Sequence, residues 1–501
     1  MTTTTSTTPA APPGDGTAPT PPPSTPRPRR PRSAIWAALR PILVRLHFYA
    51  GILVGPFLVV AATTGLLYTL APAIEQVQHR DLLVVDEVGT TTVPLSEQVA
   101  SARSTDPDGT VSTVQVSGDP DGTTRVVLAQ EGLPEGAATT VFVDPYTGEV
   151  LGESLTYGLW LPEREWIETL HSSLHLGTVG LYYSELAASW LGIVVLGGVA
   201  MWIAKAVRAR KARRLIVPET SKKGLRRTLS WHGVVGLVAA AGLIVLSITG
   251  LTWSESSGAQ IGDLRAAVSP VAPELDTTLG EGSAGGGEHD HDAGPATGLT
   301  DADLAHGASW DGMTAAATAE GLDAPYKVSP PPADGQAWTV AEASTRWPAA
   351  NDSIAVDGHS GAVVDRVDFS EKPFLTKLTG WGVHFHLGNL FGVANLVFLA
   401  LTATALLSLI VLGYVMWWQR RPRRSTSARP GPAPSRGGLR AAPLWITGLL
   451  FAGAVVSAWY VPLFGITLAA FLVIDVLLGL LERRRHRAAD RARAEDPETV
   501  G

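Results

Sequence analysis

HFYAGILVGPFLVVAATTGLLY, residues 47–68, and HGVVGLVAAAGLIVLSITGLTW, residues 232–253, are two apolar runs of one design. Each opens on a histidine, carries no charged residue and reaches Thr-Gly-Leu at the same distance, 18 residues separating His47 from Gly65 and His232 from Gly250. A helix needs about 20 apolar residues to cross a hydrocarbon core of roughly 30 Å. The chain therefore reads as a membrane protein with an internal repeat.

Composition agrees. Mean hydropathy is +0.16, and only 17% of the 501 residues are charged. Six stretches are long enough to span: 47–70, 181–204, 232–253, 388–417, 443–461 and 463–481. The tails of the second and fourth also agree, GGVAMWIAK (197–205) matching GYVMWWQRR (413–421). Counting back, Gly198 lies 27 residues after His171, as Gly413 lies 27 after His386. In HSSLHLG (171–177) this register selects His171, and not His175, as the counterpart of His386.

Basic residues are retained on the cytoplasmic side of a membrane. PRPRRPRS precedes the first span, KAVRARKARR follows the second, QRRPRR the fourth and ERRRHRAADRARAE the sixth. Strict alternation puts all four on one side, so both termini are expected in the cytoplasm and residues 71–170 and 254–380 outside. These two outer regions repeat an order of short helix, alternating strands and a strand-turn-strand. The turns align as Asp144-x-x-x-Gly148 and Asp357-x-x-x-Gly361, with glycine supplying positive φ.

The expected plan runs as follows: a Thr/Pro-rich cytoplasmic tail (1–33), a first span (34–70), an outer domain (71–170), a second span (171–204) and a basic loop (205–229). A third span (230–253), a second outer domain with a Gly/His/Asp loop (254–380), a fourth span (381–418), a basic linker (419–442), a hairpin of spans (443–481) and a cytoplasmic tail (482–501) complete it. The net charge of −7 averages a basic inside with acidic outer domains and does not point to nucleic acid.

There is no cysteine, which excludes disulfides, cysteine-ligated iron-sulfur clusters and covalent haem attachment. A redox centre here must rest on histidine, methionine or carboxylate. Six of the twelve histidines sit at the mouths of the first four spans: His47 and His232 inside, His171, His175, His384 and His386 outside. Ionisable groups at membrane depth need a partner, and facing histidines in a helix bundle are a common way to hold a b-type haem. The repeat pairs His47 with His232 and His171 with His386, which predicts two haems at two levels of the membrane. His175, one turn from His171, and His384 are alternative ligands. Arg45, Arg226 and Arg227 are placed to meet haem propionates, although positive-inside residues would occupy the same places. His289 and His291, in EHDHD (288–292), offer weak divalent-metal binding within a Gly-rich loop. No P-loop, no dinucleotide fingerprint and no H-E-x-x-H occurs.

The segments RLH…TGLLY, LHSSLHLG followed by ELAAS, WHG…TGL, and HLGNLFGVAN ending in VMWWQRRP resemble the PepSY-associated transmembrane helix family over about residues 40–425. VDPYTGEV is similar to the strand-turn-strand of PepSY domains. The resemblance implies an α-helical integral membrane protein built of a duplicated span-PepSY-span unit, with a four-helix core, two small exported α+β domains and a C-terminal transmembrane hairpin. It also implies haem-binding, iron-regulated members that reduce a ferrisiderophore outside the cell. The partners expected are the bilayer, an external ferric chelate and a cytoplasmic or membrane electron donor; no catalytic side chain is assigned. Two other readings stand beside this one: a non-redox PepSY protein that binds or regulates external partners, and a metal or siderophore permease.

Overall fold

A computed structural model describes residues 2–3, 34–209, 212–279, 310–421, 434 and 444–495. His289 and His291 lie outside the described residues, as do most of the tail 1–33 and most of the linker 419–442.

Helices α1 (Ala34–Leu53) and α2 (Gly55–Tyr68) meet at Val54, whose N–H still donates to Ala50 O and whose carbonyl still accepts from Leu58 N–H. The joint falls where Pro56 enters the first turn of α2, a position that needs no N–H donor. After α3 (Ala71–Gln78) and α4 (Arg80–Leu83) the chain forms α5 (Leu95–Arg103) and strands β1 (Thr110–Val116), β2 (Thr124–Ala129), β3 (Ala137–Val143) and β4 (Val150–Tyr157). A short helix α6 (Pro162–Ser173) precedes the long α7 (Thr178–Ala209). Then come α8 (Leu225–Thr252), α9 (Glu255–Val268), α10 (Trp310–Ala319), and β5 (Tyr326–Ser329), β6 (Trp338–Glu342), β7 (Ser353–Val356) and β8 (Val363–Val367). Helix α11 (Phe374–His386) stands before α12 (Val393–Gln419) as α6 stands before α7, and α13 (Leu444–Tyr460) and α14 (Pro462–Glu495) follow.

Among the described residues, five helical stretches are long and apolar enough to cross a membrane: Gly55–Gln78, Thr178–Ala209, Leu225–Thr252, Val393–Gln419 and Pro462–Leu481. The fifth expected span, 443–461, corresponds to α13, with 17 residues. Helix α7 packs on α1 and α8, α8 on α12, and α12 on α2. Small residues permit these close approaches. Gly192 lies where an added Cβ would stand 2.8 Å from Ser247 Oγ, and that hydroxyl donates to Ala188 O at 2.7 Å and accepts from Gly192 N–H at 3.1 Å.

The outer regions, expected as two small domains, share one antiparallel sheet of eight strands in the order β4-β3-β2-β1-β5-β6-β7-β8. The seam pairs Val114 with Val328 and Val116 with Tyr326. One core crosses it: Leu95, Val99 and Ala102 of α5 and Trp310, Met313 and Ala317 of α10 lie with Val126, Leu128, Val141, Val340 and Ile354 from both halves. Unpaired edge strands invite association, and the seam removes one such edge from each half. The two aligned turns are built alike. Asp144 Oδ1 accepts from Tyr146 N–H and Asp357 Oδ1 from His359 N–H, and Gly148 and Gly361 adopt φ of +72° and +70°.

Candidate histidine-paired site

At one level of the bundle the imidazoles of His47 (α1) and His232 (α8) face each other with ring centroids 6.0 Å apart and planes at 87°. At the other level His171 (α6) and His386 (α11) lie 6.4 Å apart at 43°. The span from His232 to Thr249, whose hydroxyl touches His386, lies within one helix and covers roughly 25 Å at 1.5 Å per residue.

All four rings are held through Nδ1. His47 Nδ1–H donates to Val194 O at 3.0 Å and His232 Nδ1–H to Leu409 O at 3.1 Å. His171 Nδ1–H donates to Thr64 Oγ1 at 2.9 Å and His386 Nδ1–H to Thr249 Oγ1 at 2.6 Å. Each threonine gives its own proton to its helix, Thr64 to Val60 O at 2.9 Å and Thr249 to Val245 O at 2.8 Å, so its lone pairs are left to accept. A carbonyl can only accept, and these partners therefore fix the proton on Nδ1 and leave the Nε2 lone pair for a ligand. Thr64 and Thr249, like Val194 and Leu409, keep the register of the histidines they serve.

Glycines bring a neighbouring backbone against three of the four rings. A Cβ at Gly65 would stand 3.0 Å from His171 Cε1, and one at Gly198 would stand 3.0 Å from His47 Cε1. Gly250 leaves 4.0 Å to His386, whereas Gly413 meets nothing within 4 Å.

The residues fit a metal bound between two imidazoles. Nitrogen ligation at about 2.0 Å on opposite sides of one metal sets ring centroids on the order of 6 Å apart, close to both separations. Exposing Nε2 while Nδ1 is satisfied is the ordinary arrangement of a metal-bound histidine.

The remaining sequence candidates divide. His175 does not sit one turn deeper on the face of His171, because α6 ends at Ser173. Leu174 and His175 both take φ of 54°, a left-handed conformation that costs about 1–2 kcal/mol per residue, and His175 N–H closes back on Thr169 O. His175 is exposed, with its ring 5.0 Å from that of Trp166. The turn is tight, since a Cβ on Gly180 would fall 1.6 Å from Ser173 O. His171 and His386 thus occupy the last turn or two of short helices before the apolar helices, and the second and fourth of the expected spans start at Thr178 and Val393, later than the expected 171 and 381. His384 shares α11 with His386, and its Nδ1 is buried without a hydrogen-bond partner among the described residues. Arg45 is buried with its guanidinium over Tyr49 at 5.8 Å. Arg226 and Arg227 are exposed in the first turn of α8. No group of three or more His, Cys, Asp or Glu suited to a metal occurs among the described residues.

Two carboxylates near the outer pair have no signal in the sequence reading. Glu185 of α7 is buried and accepts from Ser256 N–H and Ser257 N–H at 3.1 Å and from Ser257 Oγ at 2.6 Å. It caps α9, whose free N–H groups favour negative charge. Glu168 lies one turn before His171, and burial, aided by the neighbouring Glu165 and opposed by Ser172, pushes its carboxyl up to about 7. On the same helix Arg164 Nε and Nη2 donate to Tyr68 OH at 3.2 Å, and Arg164 Nη1 lies 3.7 Å from Glu75. That links α6 to α2 and α3.

Apolar helices long enough to span, joined to an antiparallel sheet, define a multi-pass membrane protein of the PepSY class. Residues 44–420 match the model of the family described as PepSY-associated TM region, and the chain belongs to that family. No curated protein matches it.

Proposed function

We propose that this chain is a di-haem b electron-transfer protein of the cytoplasmic membrane that carries electrons outward to a ferric chelate such as a ferrisiderophore. His47 and His232 hold the inner haem, and His171 and His386 the outer one. The proposed unit is a duplicated span-PepSY-span with both termini in the cytoplasm, as the basic flanks indicate. One observation carries the reading: four histidines at matched positions have Nδ1 engaged and their rings paired across the bundle, which leaves each Nε2 to bind a ligand. Haem at such a site accepts and gives up one electron at a time. The protein's part is to fix ring orientation, raise ligand basicity through the Nδ1 partners and exclude water with the apolar walls of the bundle. Filled axial positions favour electron transfer over oxygen binding. The test is the absorption spectrum of the dithionite-reduced protein with a haem count per chain: a b-type spectrum with two haems is expected, and a folded but colourless protein from haem-replete cells would overturn the reading.

A further inference from the structure

The tails of α7 and α12 occupy equivalent places in the repeat, but they end differently. Trp202 of α7 is buried and lies directly against Gly233, where any Cβ would be within 2.3 Å of its ring, and its Nε1 donates to Leu215 O. The cavity left there is about 60 Å³. The matched pair at the other tail is Trp417 and Phe48, an aromatic residue in place of glycine, with ring centroids 6.4 Å apart. Along that tail runs an open groove of about 430 Å³, lined among the described residues by Tyr414, Val415, Trp417, Trp418 and Gln419.

From this groove, resting on the electron-transfer reading above, we infer that the α12 tail binds a membrane-dissolved hydroquinone, the electron donor to the His47–His232 pair. Three features favour that occupant over an acyl chain. Flat aromatic walls suit a planar ring, whereas an acyl chain gains nothing from them over any apolar surface. A hydrogen-bonding side chain stands at the rim, that of Gln419, whose Oε1 also accepts from Thr228 Oγ1 at 3.1 Å. Arg421 lies over the Trp418 ring at 4.3 Å and Arg420 over Phe48 at 5.7 Å, cations that favour the phenolate formed as a hydroquinone loses a proton. Phe48 adjoins His47 in the chain and touches Trp417, so the groove and the histidine pair are two aromatic rings apart. The exposed Val415 and Trp418 leave the opening towards lipid.

The balance is complete with the ferric chelate as oxidant. One hydroquinone breaks two O–H bonds, releases two protons to water at the basic end of the bundle and two electrons to the protein, and leaves as quinone. Two ferric chelates each take one electron and become ferrous.

The test uses haem-loaded, full-length protein in lipid nanodiscs with an azidoquinone photolabel. Labelling is expected on the peptide containing Tyr414–Gln419, with protection by excess decylubiquinone, and Val415→Trp should weaken that protection roughly tenfold or more while keeping its dithionite-reduced haem spectrum. Decylubiquinol should reduce the wild-type haem. Labelling spread over the lipid-facing surface, or protection unchanged in Val415→Trp, overturns the site. Haem that dithionite reduces but decylubiquinol leaves oxidised overturns the donor and spares the electron-transfer reading. Protein with no reducible haem sinks both.

Discussion

Thr64 receives the Nδ1 proton of His171 at 2.9 Å while spending its own hydroxyl proton on Val60 O one turn back. Thr249 stands in the same relation to His386. Replacing either hydroxyl by a methyl removes the acceptor and frees the ring to turn. Loss of such a partner typically weakens metal binding about 10–100-fold. Thr64→Val and Thr249→Val should each lower occupancy of the outer haem, measured by haem per chain after detergent dialysis, and Thr64→Ser should restore it. Equal retention in Thr64→Val and Thr64→Ser would dissociate the hydroxyl from the site.

The two levels should be separable. His47→Ala or His232→Ala is expected to remove one haem and leave the signal of the other, and His171→Ala or His386→Ala the reverse, as followed by redox titration of the absorption band. His175→Ala should leave both, since its ring stands beside Trp166. Disappearance of the outer signal in His175→Ala would reverse the assignment of the ligand.

Gly198 and Gly413 occupy matched positions but differ in what a methyl group would meet. Gly198→Ala forces the His47 ring aside by a few tenths of an ångström, because its Cβ would lie 3.0 Å from Cε1. Gly413→Ala meets open space and gains helix propensity of about 0.8–1.0 kcal/mol. We expect Gly198→Ala to reduce inner-haem content and Gly413→Ala to leave it intact, compared in one preparation by reduced-minus-oxidised spectra.

Glu168 should give the protein a pH signature. An unfolded glutamate titrates near about 4.3, whereas in the fold this carboxyl is raised to about 7 by burial and by Glu165. Between those values the folded chain keeps a proton the unfolded chain has released. Stability from this group is therefore present below the lower value and declines as pH rises through the higher one. Glu168→Gln cannot titrate, so its melting temperature relative to wild type should climb between pH 4.5 and 8. A flat difference over that range would show an ordinary carboxyl.

Glu185→Ala should destabilise the protein without touching either histidine pair. It leaves the Ser256 and Ser257 N–H groups without their acceptor, and unsatisfied buried donors cost about 1–3 kcal/mol. A lowered thermal midpoint with an unchanged haem spectrum is expected. An unchanged midpoint would mean that water or a neighbour replaces the carboxylate.

The repeat makes much of this legible in the sequence, because equal spacings from histidine to Thr-Gly and from histidine to Gly-x-x-Met mark positions without any knowledge of packing. The four histidines selected that way are the ones found facing each other across the bundle. The break between α6 and α7 is not legible. Leu174, His175 and Leu176 include no proline, and a hydropathy window passes over a left-handed turn made of apolar residues. The seam between β1 and β5 is equally hidden, since alternation in VSTVQVSG tells which side chains face a core and not which distant strand completes the edge. The tautomer-setting hydroxyls of Thr64 and Thr249 are visible as residues, but their role depends on a helix that folds back from the outer region.

The contacts that cross the middle of the molecule either join an element to its own counterpart, β1 to β5, His47 to His232 and His171 to His386, or come as a matched pair, α7 on α8 and α12 on α2. That is the geometry of an isologous dimer interface, here written into one polypeptide. A chain holding a single such unit would meet these requirements only by pairing with a second copy of itself. Holding both sides of the interface in one polypeptide removes any dependence on protein concentration, and the two sides need not be alike, as Gly233 and Phe48 show at the two tails.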